Sequence, residues 1–256
     1  MNATEIAPIG TNEAERISAD MVRGLIDLLK TLPPEEWDRP TDCDLWSVRD
    51  HVAHQVGWHE ALLSFPELMR QMGSAVRRSK ELGNVIDAQN QVQVDARRGL
   101  STDDLIARLE NTYVAAATKR RKLGSMLGWI PAYSSYLGGW INVSYVTDAI
   151  FPRDIYMHRV DIAKATGKEM VMGESERRLI EDIIRDWYGR TKESVRLELT
   201  GPAGGTYEGD RTPTVTFTAD AVEFTRLLFG RAERDVLEIS GDRATAERAL
   251  SVYFPV

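Results

Sequence analysis

Apolar positions recur at helical spacing through the first two thirds of the chain, and much of the last third alternates instead. Between Ala14 and Leu32, the residues Ile17, Met21, Leu25, Leu28 and Leu29 share one face of a 3.6-residue period, which Pro33-Pro34 stops. A second helix is predicted from Ser47 to about Arg70, with Ser47 as N-cap and Asp50 three positions on, a close variant of the capping box. Ser101-Thr102-Asp103-Asp104 opens a third helix that runs to Leu123 and closes at Gly124. A fourth runs from about Val146 to Thr166, with Pro152 in its early part and Gly167 at its end. Residues 71–100 are polar and read as a partly helical insertion. The segment LGWIPAYSSYLGGWINVSY reads as an ordered loop with aromatic anchors.

After residue 170 the pattern changes. Glu174 to Arg190 is amphipathic, and SVRLELTG, GTYEG, TVTFTAD and DVLEISGD read as strands by alternation and β-branched content. Helices at Ala221–Phe229 and Ala244–Tyr253 interleave with them. The expectation is an α+β chain: a four-helix bundle over residues 1–169 and a smaller α/β domain over 170–256.

Composition narrows the function. Of the 256 residues, 39 are acidic and 32 basic, a net charge of −7 that argues against phosphate backbones as partners. The basic run Lys119-Arg120-Arg121-Lys122 reads as a solvated C-terminal turn favoured by the helix dipole. A single cysteine, Cys43, rules out an intrachain disulfide and fits a reducing cytoplasm. No apolar run approaches membrane-spanning length. A chain this long folds without a metal, so any metal would serve chemistry. The expected partners are small molecules, with the chain a monomer or homodimer.

The four histidines carry the chemical signal: His51, His54 and His59 lie on the second helix and His158 on the fourth. At 3.6 residues per turn, His51 and His54 are about 60° apart and Asp50 and His54 about 40°. Asp154 and His158 form an i, i+4 pair and can point the same way. Two imidazoles and a carboxylate converging in a bundle core suit zinc or a similar divalent ion, with a fourth position left for water or substrate. On spacing alone a helical Asp/His pair is more often a surface pair, and His51 and His59 are better read as ordinary helix residues.

The stretches TDCDLWSVRDHVAH and RDIYMHRVDIAKATG resemble, in order and spacing, the second- and fourth-helix signatures of the DinB-like, mycothiol-dependent maleylpyruvate isomerase family. FTRLLFGRAERDVLEISGDRATAERAL is similar to that family's small sterol-carrier-like domain. The resemblance implies a metal held by His54, Asp154 and His158, with mycothiol as thiol cosubstrate. Asp154 stands where the family pattern has Glu. Being shorter by about 1.5 Å, Asp implies a backbone shift or a bridging water.

The resemblance also implies an arginine of the small domain on the substrate carboxylate. Arg243 is the candidate and Arg231 the alternative, since a guanidinium fork pairs bidentately with a carboxylate. Asp50 and Asp161 have two readings each, as carboxylates supporting the ligating imidazoles or as structural partners. Cys43 is expected to be a small buried residue and Trp46 an anchor for the helix start. Trp129, Tyr133, Tyr136 and Trp140 are expected to wall a pocket for a sugar-bearing thiol. The implied function is a thiol-dependent cis–trans isomerase or S-transferase. A lipid- or metal-binding protein without catalysis is the rival reading.

Overall fold

The computed structural model describes residues 1–43, 45–134, 139–201 and 203–254. Five helices come first: α1 (Thr11–Leu29), α2 (Val48–Leu63), α3 (Phe65–Leu82), α4 (Val85–Asp95) and α5 (Thr102–Leu127). A hairpin, β1 (Pro131–Ser134) and β2 (Gly139–Asn142), leads through the short turn α6 (Val143–Tyr145) and a π-helical turn, Val146–Ile150, into α7 (Phe151–Thr166). α8 (Glu174–Thr191), β3 (Val195–Thr200), β4 (Gly205–Glu208), β5 (Val215–Asp220), α9 (Ala221–Leu228), β6 (Glu238–Gly241) and α10 (Arg243–Ala249) complete the chain.

The bundle is α1, α2, α5 and α7. α1 and α2 each pack against both α5 and α7. Ser47 and Ser101 both form capping boxes with the acid three residues on. Gly167 closes α7 in the left-handed region at φ 64°, a conformation that costs a residue with a Cβ. These starts and stops agree with the sequence patterns.

Two expectations need correction. The helix predicted from Ser47 to Arg70 is two helices: Ser64 is extended (φ −129°, ψ 109°) and Pro66 lies in the first turn of α3. A proline inside one continuous helix would clash with the carbonyl four residues back, so the chain turns before it. α3 and α4 then pack on each other and on α2, so residues 71–100 are mostly helical. The third helix does not stop at Gly124 but runs to Leu127. Gly124 is a packing position, since a Cβ there would stand 2.7 Å from Thr147 Oγ1 and 2.9 Å from Thr11 Cγ2.

The sheet has the order β4-β3-β5-β6, with β3 and β5 parallel and the outer pairs antiparallel. Val195, Leu197 and Leu199 alternate inward beside Val215, Phe217 and Ala219. Trp187 of α8 meets Phe217 and Phe224 there, so α8 and α9 seal the sheet. α8 also packs on α1, and one apolar cluster includes residues from the bundle and from the sheet region. Among the described residues no helix is long and apolar enough to cross a membrane.

Candidate metal centre

α2 and α7 cross where their histidines face inward. His51, His54 and His158 are each at most 2% exposed. Donor atoms of His54, Asp154 and His158 all lie within 4.8 Å of one another. Asp154 Oδ2 is 3.7 Å from His54 Nε2, and its Oδ1 is 3.2 Å from His158 Nε2. Donors around a tetrahedral ion at ~2.0–2.1 Å stand roughly 3.3 Å apart, so the spacing suits a zinc-sized ion. Asp154, although one carbon shorter than Glu, lies against both rings.

Both ring nitrogens of His54 and of His158 lack a hydrogen-bond partner among the described residues. Buried polar atoms are normally paired, and the two Nε2 atoms that face Asp154 mark a place for a ligand. A second group, His51, His158 and Asp161, meets the same spacing. His51 Nε2 already faces Thr41 Oγ1 at 2.8 Å, which leaves that group less free.

The surroundings set the charge states. Burial alone favours a neutral His158, but Asp154 and then Asp161 outweigh it and push its pKa up to about 9. Burial lowers His54, with Asp154 offsetting part of that. Burial would raise the Asp154 carboxyl, yet His158 and His54 hold it well below the usual carboxylate range.

Asp161, fully buried, stands 3.8 Å from His158 Nδ1 and 3.4 Å from Arg231 Nε, between the imidazole and the arginine. Asp50 supports no imidazole. Its Oδ2 accepts from the Ser47 backbone N–H at 3.0 Å and from the Ser47 hydroxyl at 2.8 Å, closing the α2 cap.

Several residues at the site carried no sequence signal. Gln55 donates to Asp154 Oδ2 at 2.6 Å. Gln93 of α4 lies beside His54 and donates to Gln71 Oε1 at 2.9 Å. Gly57 permits this approach, since a Cβ there would stand 2.5 Å from Gln93 Cβ. Arg120, expected in solvent, is 3% exposed, and burial drives its pKa down to about 10.

A cavity of about 550 Å³ opens beside Asp154 and His158, walled by Cys43, Trp46, Leu82 and Asn90 among others, with Arg231 at its edge. Cys43 is half-buried on this wall, not a core residue. Trp46 does more than anchor the helix start, for its ring lies 4.8 Å from His54, 5.2 Å from His51 and 5.8 Å from His158. Arg226 holds this wall from the other half of the chain, pairing with Asp42 and donating to the Arg231 carbonyl.

Arg243 is not brought here: it is exposed at the start of α10, and Arg231 is the small-domain arginine that lines the cavity. The aromatic loop does not wall this cavity either. Trp129, Tyr133 and Trp140 are 75%, 62% and 73% exposed, and Tyr136 lies outside the described residues. A larger cleft of about 740 Å³ lies between α1 and residues 168–176, and several of its charged groups pair with one another, as in Arg159 with Glu176. The chemistry is concentrated at the smaller cavity.

A four-helix bundle with two imidazoles and a carboxylate converging in its interior, followed by a small mixed sheet, defines the architectural class. The family model for the mycothiol maleylpyruvate isomerase N-terminal domain matches residues 19–163, and the chain belongs to that family. Two solved structures are similar, the mycothiol-dependent maleylpyruvate isomerase and its histidine-to-alanine mutant. Each is 16% identical, with TM-scores of 0.56 and 0.57, and the likeness covers 91% of this chain and 95% of theirs. At that identity the likeness is one of fold. No curated protein matches the chain.

Proposed function

We propose that this chain is a metal-dependent enzyme that uses a low-molecular-weight thiol, mycothiol, either to isomerise an anionic electrophile or to add the thiol sulfur to it. The observation that carries the reading is the convergence of His54, Asp154 and His158, with two orphaned Nε2 atoms, beside a cavity edged by Arg231. Residues 1–169 form the metal-binding unit in this reading, and residues 170–256 the small unit that supplies Arg231.

His54 and His158 would ligate through Nε2, the nitrogens facing Asp154. A divalent ion such as zinc, when bound, supplies a Lewis acid that lowers the pKa of a thiol at its open position. Asp161 faces His158 Nδ1 and fixes that ring's tautomer and orientation. Gln55 orients the Asp154 carboxylate. Trp46 covers the imidazoles and limits water access. Arg231 takes the substrate carboxylate in a bidentate pair. Addition of the thiolate to a conjugated double bond, rotation about the resulting single bond and elimination of the same thiolate give cis–trans isomerisation. When the adduct's enolate carbon takes a proton instead of eliminating, the product is the thioether.

Calorimetry of the zinc-loaded protein should show binding of mycothiol but not of its S-methylated form, and removal of the zinc should abolish it. Equal affinity for the two, or binding of neither, removes the thiol from the account and leaves a binding protein of the same fold.

Metal affinity should also depend on pH. His158 titrates near 9 in the metal-free protein, so at neutral pH ligation displaces its proton, while the lowered His54 is already neutral. The apparent zinc affinity should rise about tenfold per pH unit between pH 7 and 8 and flatten above about 9. The metal-free protein runs the other way: stability from the charged His158 is complete below about 6.5 and is lost as pH rises through about 9. A zinc affinity independent of pH over 7–8 would contradict ligation by His158.

A further inference from the structure

α4 brings a buried amide, Gln93, against the helix that carries His54. Gln93 and Gln71 have no exposed surface, and together they form a short relay. Gln71 Nε2 donates to the Gly57 carbonyl and to Glu67 Oε1, each at 3.0 Å. Arg70 keeps Glu67 ionised, with its pKa down to about 2, so both of these partners can only accept. Gln71 therefore turns its Oε1 to α4, where Gln93 Nε2 donates to it at 2.9 Å. With its nitrogen on Gln71, the Gln93 amide turns its Oε1 the other way. Arg97 Nη1 donates to the Gln93 carbonyl at 2.8 Å, which holds the backbone behind this side chain.

That Oε1 is buried without a partner among the described residues, and so is His54 Nδ1. Gly57 follows His54 by three residues and lies on the same side of α2. A Cβ there would stand 2.5 Å from Gln93 Cβ and 2.6 Å from its Cγ, so glycine lets the two helices come this close. Asn90, one turn before Gln93, lines the cavity that Asp154 and His158 also line. Gln93 acts on His54 in the sense of a hydrogen-bond acceptor, against the burial that lowers that ring. His54 Nε2 faces Asp154 at 3.7 Å, which leaves Nδ1 as the nitrogen for the amide oxygen. A neutral imidazole holds one proton, and a buried donor and a buried acceptor left over at one contact complete each other.

We propose that Gln93 is the positioning residue of His54: its Oε1 accepts from Nδ1–H and thereby keeps the Nε2 lone pair free for the ion. Asp154 is the rival acceptor. A proton drawn to Nε2 by that carboxylate would stand in the ion's place, and Gln93 opposes this. The α3–α4 pair thus serves the centre without supplying a ligand. The inference deepens the metal reading above, on which its effect on affinity rests, while the state of the ring does not depend on it.

Nitrogen-15 NMR of the imidazole rings, on metal-free protein at about pH 8 where His54 is neutral, reads the tautomer directly. In wild type the His54 proton should sit on Nδ1. In Gln93→Met, which keeps the bulk and loses the acceptor, it should move to Nε2. Zinc affinity of Gln93→Met should fall about ten- to a hundredfold, the usual cost of removing such a partner. Thermal melts of both metal-free proteins accompany these measurements.

A wild-type proton on Nε2, or a tautomer unchanged in Gln93→Met, overturns the proposal. Equal zinc affinity in the two proteins also overturns it and leaves the metal reading standing. So does a lower melting temperature with tautomer and affinity intact, which makes Gln93 structural. The wild-type spectrum needs no variant, so it decides the matter even where Gln93→Met fails to fold. If the tautomer follows Gln93 while wild type holds no zinc, the metal reading fails and the assignment of the ring stands.

Discussion

His54→Ala and His158→Ala should each reduce zinc from about one ion per chain to near zero after loading and dialysis. A site with three protein donors loses much of its affinity when one imidazole goes, because the remaining two cannot close the tetrahedron. His51→Ala separates the two possible groups of ligands. It should keep the ion if His54, Asp154 and His158 hold it, and lose it if His51, His158 and Asp161 do. The histidines are buried, so His54→Gln and His158→Gln, which retain bulk, guard against reading a collapsed core as a lost ligand. Unchanged stoichiometry in both alanine variants would remove the site from these residues.

Asp182→Leu should lower stability by about 3–5 kcal/mol, the cost of leaving a buried charge with its main partner gone. For a chain of this size that is roughly 6–20 °C in melting temperature. Arg153 and Asp182 are 2% and 1% exposed, and Arg153 Nη2 donates to Asp182 Oδ2 at 2.6 Å. The other carboxylate oxygen accepts from the Ile9 backbone N–H at 3.2 Å and from Arg185, so one side chain ties α7, α8 and the N-terminal segment together. Asp186 and Tyr145 hold the other side of Arg153 and limit the loss. Arg153 precedes Asp154 but pairs with α8, not with the cluster. Zinc stoichiometry below the melting transition should therefore stay near wild type. A melting temperature unchanged from wild type would show that the pair contributes nothing net.

Much of this was legible in the sequence, for reasons tied to particular residues. Ser47, Ser101 and Gly167 are local signals, read from a few adjacent positions, and the apolar stripe of α1 is long enough to be unambiguous. The i, i+4 spacing of Asp154 and His158 made their convergence expected. What stayed hidden depends on contacts between distant segments. α3 is rich in Arg, Gln and Lys because it packs mainly against α4, and few of its residues are buried.

Arg120 sits in a basic run that reads as solvent-facing, and only the packing of α5 against α2 and the π-helical turn turns it inward. Nothing local separates Arg231 from Arg243. The choice is made by Arg226, which reaches across to Asp42 and the Arg231 carbonyl. Gln55 and Gln93 carry amides, which leave no pattern at all, and Gln93 arrives from a helix that the sequence left unassigned.

An ion held by His54, Asp154 and His158 would leave a position that a thiol fills. Replacing zinc with cobalt makes this visible, because thiolate sulfur, a soft ligand, gives cobalt(II) a strong near-ultraviolet charge-transfer absorption that nitrogen and oxygen donors do not. Titration of the cobalt-loaded protein with mycothiol should bring up that absorption with about one equivalent, and the S-methylated thiol should leave the spectrum unchanged. A spectrum that mycothiol does not alter, in protein shown to hold one cobalt per chain, would contradict the account.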